Sequence, residues 1–96
     1  MAITTVISAT KDAASGVSTE FTTTGPFVLY GDGFGTHEHA TLLRLGPSGS
    51  YLTATNNKEV VKVSAYPNMV YIDTPGTFRV EKMKTHAETS VGYEEV

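Results

Sequence analysis

The chain has 96 residues, 40% of them apolar, with seven Lys plus Arg against ten Asp plus Glu for a net charge of −3, and it contains no cysteine. The sparse cations, whose densest grouping is Lys82 with Lys84, exclude a nucleic-acid surface built on clustered phosphate contacts; the lack of cysteine excludes disulfides and thiolate metal sites. A chain this short buries only about 60–65% of the surface its unfolded form exposes, a thin margin that a partner or an oligomer would widen.

Residues Met1 to Thr10 lack the cationic and apolar regions of a signal peptide, and no run approaches the roughly 20 apolar residues of a membrane span. The expectation is a protein neither secreted by that route nor embedded, assembled in a reducing cytoplasm. Fifteen threonines, many alternating with apolar residues, favour strands, because β-branched side chains suit a pleated surface and lose rotamer freedom in a helix. Ile3 to Ser8 predicts an edge strand with Ile3, Thr5 and Ile7 on one face and Val6 on the other, its open backbone groups able to extend a sheet in a neighbour. Lys11 to Gly16 lacks apolar periodicity and predicts a loop. From Val17 to Thr24 the alternation places Val17, Phe21 and Thr23 on one face and Ser18, Glu20, Thr22 and Thr24 on a wet one. Phe27 to Tyr30, a continuous apolar run between Gly25-Pro26 and Gly31, predicts a strand buried on both sides.

Turn signals then recur at Gly31 to Gly35, Gly46 to Gly49, Asn56-Asn57, Pro67-Asn68 and Thr74 to Gly76. Between them strands are expected at Ala40 to Leu45, Ser50 to Thr55, Val60 to Ala65, Met69 to Asp73 and Thr77 to Met83. The pattern is that of an all-β protein, a small antiparallel β-sandwich or barrel of Ig-like or jelly-roll-like kind with about seven or eight strands. Met69 to Asp73 and Thr77 to Met83 read as a hairpin with Ile72 facing Phe78 and Val70 facing Val80, joined by three residues or a bulge at Gly76; a two-residue loop would set charges opposite core residues. Residues 1–84 read as one β domain, and residues 85–96 as a polar, acidic tail anchored through Val91, Tyr93 and Val96 and ordered by a partner. Removing either Thr85 to Val96 or Met1 to Ser8 is then expected to leave a folded domain.

His37-Glu38-His39 places two imidazoles at strand spacing, where they would share a face, and His86 is the available third ligand. Zinc wants three or four ligands with supporting contacts, and nothing in the spacing fixes that geometry. His37, His39 and His86 therefore stay weak candidates, the expectation being no metal and no cofactor. Gly31-Asp32-Gly33-Phe34-Gly35 has Thr36 where a dinucleotide fingerprint needs its third glycine, and it leads into a strand rather than a helix; its glycines read as tight-turn residues. No Gly-x-Ser-x-Gly elbow occurs and no histidine has a carboxylate at diagnostic spacing, so no enzyme is expected. A glycosidase-type carboxylate pair leaves no spacing signature and stays open. Sugar binding would call on aromatic faces; the chain has five tyrosines and no tryptophan, and Tyr51 and Tyr66 stand next to turn signals.

The opening Met1-Ala2-Ile3-Thr4-Thr5-Val6-Ile7-Ser8, the run Gly25-Pro26-Phe27-Val28-Leu29-Tyr30-Gly31 and the segment Pro75-Gly76-Thr77-Phe78-Arg79-Val80 resemble the small, threonine-rich, cysteine-free β proteins of tailed-bacteriophage virions, in particular capsid decoration or cement proteins. The likeness is one of pattern over most of the chain and carries over no functional residue. It implies a protein that assembles in the host cytoplasm, binds capsid protein subunits on the outside of the capsid and stabilises it, often as a homotrimer. The alternatives are a carbohydrate-binding β-sandwich module or another head, neck or tail structural protein. The residues expected to bind the partner are Ile3, Thr5, Val6 and Ile7 in the first strand and Val91 and Tyr93 in the tail.

Overall fold

The computed structural model describes residues 3–10, 18, 20–56 and 58–96; Val17, Asn57 and the loop expected at Lys11 to Gly16 lie outside the described residues. The described residues form no helix and eleven strands: β1 (Thr4–Thr10), β2 (Phe21–Thr23), β3 (Phe27–Asp32), β4 (His39–Leu45), β5 (Tyr51–Thr53), β6 (Thr55–Asn56), β7 (Glu59–Val60), β8 (Lys62–Ser64), β9 (Met69–Ile72), β10 (Gly76–Lys82) and β11 (Thr89–Glu95). One sheet runs β1-β11-β3-β9, a second runs β2-β10-β4-β5 with β8 also on β4, and β6 and β7 form a small ribbon. Every pairing is antiparallel.

The strand count exceeds seven or eight because the two strands expected between Ser50 and Ala65 are divided into four where β4 changes partner, and because β11 adds another. β4 pairs β8 along His39 to Thr41 and β5 along Leu43 to Leu45. At the junction Leu42 donates its N–H to the Val61 carbonyl and accepts from the Ala54 N–H, both at 2.9 Å. Val61 in turn donates to Ala54 across the base of the β6–β7 ribbon, so no backbone group of the three is lost to the break.

The two large sheets pack face to face through aromatic side chains. Phe21 of β2 stacks on Tyr93 of β11 with centroids 4.4 Å apart, and Phe27 of β3 meets Phe78 of β10 at 5.0 Å. Around them Ile7, Leu29, Phe34, Ala40, Leu42, Ala54, Val61, Val63, Ile72, Val80 and Val91 complete the buried cluster. The alternation expected in β2 is observed, with Phe21 and Thr23 buried and Glu20, Thr22 and Thr24 exposed. Ser18, expected on the wet face, is buried instead. Its N–H donates to the Val80 carbonyl at 2.8 Å and its hydroxyl accepts the Val80 N–H at 2.9 Å, so this one residue extends the pairing of β10 beyond the short β2.

Three further expectations are corrected. β3 lies between two strands, but only one of its faces is covered: Phe27 and Leu29 are wholly buried, while Val28 and Tyr30 are half-buried on the outer side. No hairpin joins β9 to β10. β9 pairs β3 in one sheet and β10 pairs β2 and β4 in the other, so residues 73–75 cross between sheets. Crossing buries Ile72, Phe78 and Val80 in the shared core as well as a hairpin would, and Arg44 holds the crossing by donating to the Pro75 carbonyl at 2.9 Å. Finally, residues 85–96 are not a tail. β11 runs inside the first sheet, paired with β1 on one side and β3 on the other. Its polar look arises because the outward residues are Ser90, Gly92 and Glu94, while Thr89 and Val91 are buried inward.

This placement reverses the expectation for truncation. Deleting residues 85–96 removes the partner of β1 and the ring that Phe21 stacks on, so the shortened chain should lose its cooperative melt by circular dichroism; a sigmoidal transition near that of the full chain would refute it. Val91→Ala, which removes two methyl groups from a closed core, should cost about 2 kcal/mol in urea unfolding.

Candidate interaction surface

The six residues expected to bind a partner divide. Between Thr5 and Ile7 the register of β1 on β11 shifts, with Thr5 opposite Gly92 but Ile7 opposite Val91. Val6 is thus the extra residue of a bulge, and a bulge changes which face the following side chains meet. Ile7 joins Val91 in the core instead of sharing a face with Ile3 and Thr5. Tyr93 packs against the same core through Phe21. Ile7, Val91 and Tyr93 therefore hold the fold together, while Ile3 and Thr5 are exposed and Val6 is partly so.

The register builds a continuous outer face from there. Reading across the sheet, Thr5 lies opposite Gly92, Gly92 opposite Tyr30 and Tyr30 opposite Met69; the next row holds Glu94, Val28 and Tyr71. Residues opposite one another share a face, so this side presents Ile3, Val28, Tyr30, Met69 and Tyr71 together. Ile3, Met69 and Tyr71 are 52%, 58% and 52% exposed. Gly92 is needed here, since a Cβ on it would come within 2.7 Å of Ile3 Cγ2 and 3.0 Å of the Thr4 carbonyl oxygen. Without a side chain at that position, Ile3 lies down on the sheet. Tyr30 donates its hydroxyl to Glu94 Oε1 at 3.2 Å, and its phenol is pushed up by desolvation first, then by that bond and the carboxylate charge.

Sequence reasoning did not count Val28, Tyr30, Met69 and Tyr71 among the partner residues: Val28 and Tyr30 lie in a run expected to be buried on both sides, and Met69 and Tyr71 lie on the strand face opposite Val70 and Ile72. The signal was present in the alternation: with Ile72 buried and Val70 packed on the core, Met69 and Tyr71 must point the other way.

The outer face of the second sheet differs. Arg79 and Glu81 of β10, Thr41 and Leu43 of β4 and Lys62 of β8 fall in adjacent rows there, mixing both signs of charge. The Arg79 guanidinium lies 4.7 Å over the Tyr51 ring, and Tyr51 donates its hydroxyl to Glu20. One candidate for sugar stacking is thus already covered. The other, Tyr66, is 93% exposed.

Between β4–β5 and the β9–β10 crossing lies a cleft of about 430 Å³ with Leu42, Ala54, Val61, Ile72 and Phe78 in its apolar lining and no histidine among its lining residues. Its cation, Arg44, is held against the wall, 5.2 Å over the Phe78 ring and bonded to Pro75.

The histidine region is organised by the residue between the two imidazoles. Glu38 Oε1 accepts the Gly35 N–H and Oε2 accepts the His86 N–H, each at 2.7 Å, so this carboxylate ties the β3–β4 loop to the β10–β11 loop. The Gly35 bond first and the His86 bond second hold it below the usual glutamate range. Gly33 makes the neighbouring turn possible, at φ 92° with a would-be Cβ only 2.5 Å from the Glu88 carbonyl oxygen. His86 thus comes near Glu38 by its backbone, and among the described residues no group of three or more His, Asp or Glu is placed to hold a metal ion.

Comparison of the chain with protein-family models, with curated proteins and with solved structures gives no match in any of the three.

The Glu38 bracket has a testable acid dependence. A carboxyl whose folded pKa is depressed stabilises the fold in full above its unfolded value and loses that contribution as pH falls through the folded value. Glu38→Gln, which keeps one acceptor and loses the charge, should lower Tm at neutral pH and converge with the parent in acid. Glu95, also lowered, first by its bond from the Thr24 N–H, leaves the variant a residual acid slope. Thermal melts over a pH series read the difference; parallel curves for parent and variant would refute it.

Proposed function

We propose that this chain is a structural protein of a phage virion that binds capsid subunits on the outside of the capsid and stabilises it, working by surface contact. The observation that carries the reading is the inequality of the two outer faces. One carries charges of both signs around Leu43 and Leu45; the other sets three half-exposed apolar side chains, Ile3, Met69 and Tyr71, beside Val28 and Tyr30. Contiguous exposed apolar surface of this kind marks a contact site. The face serves better than the edge, because the register shifts in β1 interrupt the ladder that an added strand would need.

Burying the exposed halves of Ile3, Met69 and Tyr71 contributes about 1 kcal/mol each, which is weak for a single copy. A homotrimer on a repeating lattice makes the second and third contacts intramolecular and raises the overall affinity without new chemistry. The trimer and the location on the capsid surface, with assembly in the host cytoplasm, come from the resemblance to decoration proteins.

Capsids assembled without this chain provide the test. The purified protein should co-sediment with them to saturation, with light scattering reporting three times the 10.3 kDa chain mass. Met69→Glu with Tyr71→Glu should abolish co-sedimentation, whereas Thr53→Glu on the opposite face should leave it intact. Equal binding by both variants, or no binding by the parent chain, would overturn the reading.

A further inference from the structure

A second surface feature lies apart from that face, at the end of the second sheet. A groove of about 590 Å³ runs between the β3–β4 loop and the turn that follows β8, with His37, His39, Lys62, Ser64 and Tyr66 in its lining. Register fixes its floor. His39 lies directly opposite Ser64, and Lys62 is opposite Thr41 one row along the same face, so the imidazole of His39 and the ammonium of Lys62 are diagonal neighbours on one surface.

Both walls are braced by hydrogen bonds that need no ligand. On one side Glu38 closes the loop on itself, its N–H donating to the Gly35 carbonyl at 3.2 Å while its carboxylate accepts the Gly35 N–H at 2.7 Å. On the other, Ser64 donates its N–H to the Pro67 carbonyl at 2.9 Å and accepts the Tyr66 N–H on its hydroxyl at 3.2 Å. The turn is therefore held while its aromatic side chain stands 93% exposed. The one acidic group in the lining, Glu38, keeps its charge and is held in place by the backbone N–H groups that both its oxygens accept. Beside it the lining holds a lysine, two imidazoles, two hydroxyls and an open aromatic ring.

We propose that this groove binds a sugar residue carrying a carboxylate, with the Tyr66 ring packed on the C–H face of the sugar and Lys62 and His39 meeting the acid. An aromatic plane beside a polar edge suits a pyranose, which is apolar on one face and hydroxylated at its rim, and a charge-assisted bond to the carboxylate favours the acidic sugar over its neutral analogue. The binding would be weak at one site and useful in many copies.

Titration of ¹⁵N-labelled full chain with methyl β-D-glucuronide, followed by amide chemical shifts, tests this. Saturable shifts should appear in residues 35–39 and 62–66, and methyl β-D-glucoside should bind about tenfold more weakly. Tyr66→Ala should abolish the shifts and Lys62→Ala weaken binding about tenfold, with the dispersed spectrum of each variant showing that it is folded. Tyr71→Glu, which tests the docking face, should leave glucuronide binding unchanged, so the two proposals fail separately. No saturable shift, equal binding of glucoside, or shifts from sodium acetate that survive Tyr66→Ala would overturn the proposal.

Discussion

The fold depends on β11 lying between β1 and β3. Without it the first sheet is two separate pieces, since among the described residues β1 has its ladder only with β11 and β3 otherwise pairs only with β9. The same strand carries Tyr93 to its stack on Phe21, the closest ring contact between the sheets. In-plane pairing and face-to-face packing are thus supplied by one seven-residue segment. The pairing joins the first strand to the last, so the sheet closes only when distant parts of the chain meet, and non-local closure of this kind slows folding.

Side-chain alternation explains what was legible and what was not. The bounds of β4, β9 and β10 lie within a residue of those expected, because each strand buries every second residue and ends at a turn signal. Alternation says which face of a strand is wet and leaves its neighbour open. Val70 and Ile72 satisfy the core equally well opposite Phe78 and Val80 in a hairpin or across from them in a second sheet, and the structure takes the second course. β11 was hidden for another reason. Its inward set includes Thr89, fully buried, and its outward set includes Gly92, so apolar content underreports its burial. The bulge at Val6 is a backbone irregularity with no residue signature, and it alone moves Ile7 from the surface into the core.

The site residues show the same limits. Tyr66 was visible as an aromatic beside a turn signal and is the most exposed of the large hydrophobic side chains among the described residues. Met69 and Tyr71 lie on the strand face opposite the core pair Val70 and Ile72, and the expected partner set did not include them. The paired histidines drew attention as ligands, whereas the residue doing structural work between them is Glu38, recognisable only once the two loops it joins are seen side by side.

Charged side chains recur in this bracing role. Glu38 accepts from two loops, Glu95 accepts the Thr24 and Gly25 N–H groups at the β2–β3 turn, Arg44 donates to the Pro75 carbonyl at the sheet crossing, and Lys82 donates to the Met83 carbonyl at the end of β10. A charge-assisted bond to a backbone group at a chain reversal satisfies a group that no ladder reaches and fixes the direction in which the chain leaves. That arrangement places four of the seventeen Lys, Arg, Asp and Glu side chains at the connections. The outer rows of β9 and the middle of β3 carry Met69, Tyr71, Val28 and Tyr30, whereas Arg79, Glu81 and Lys62 stand on the outer face of the opposite sheet.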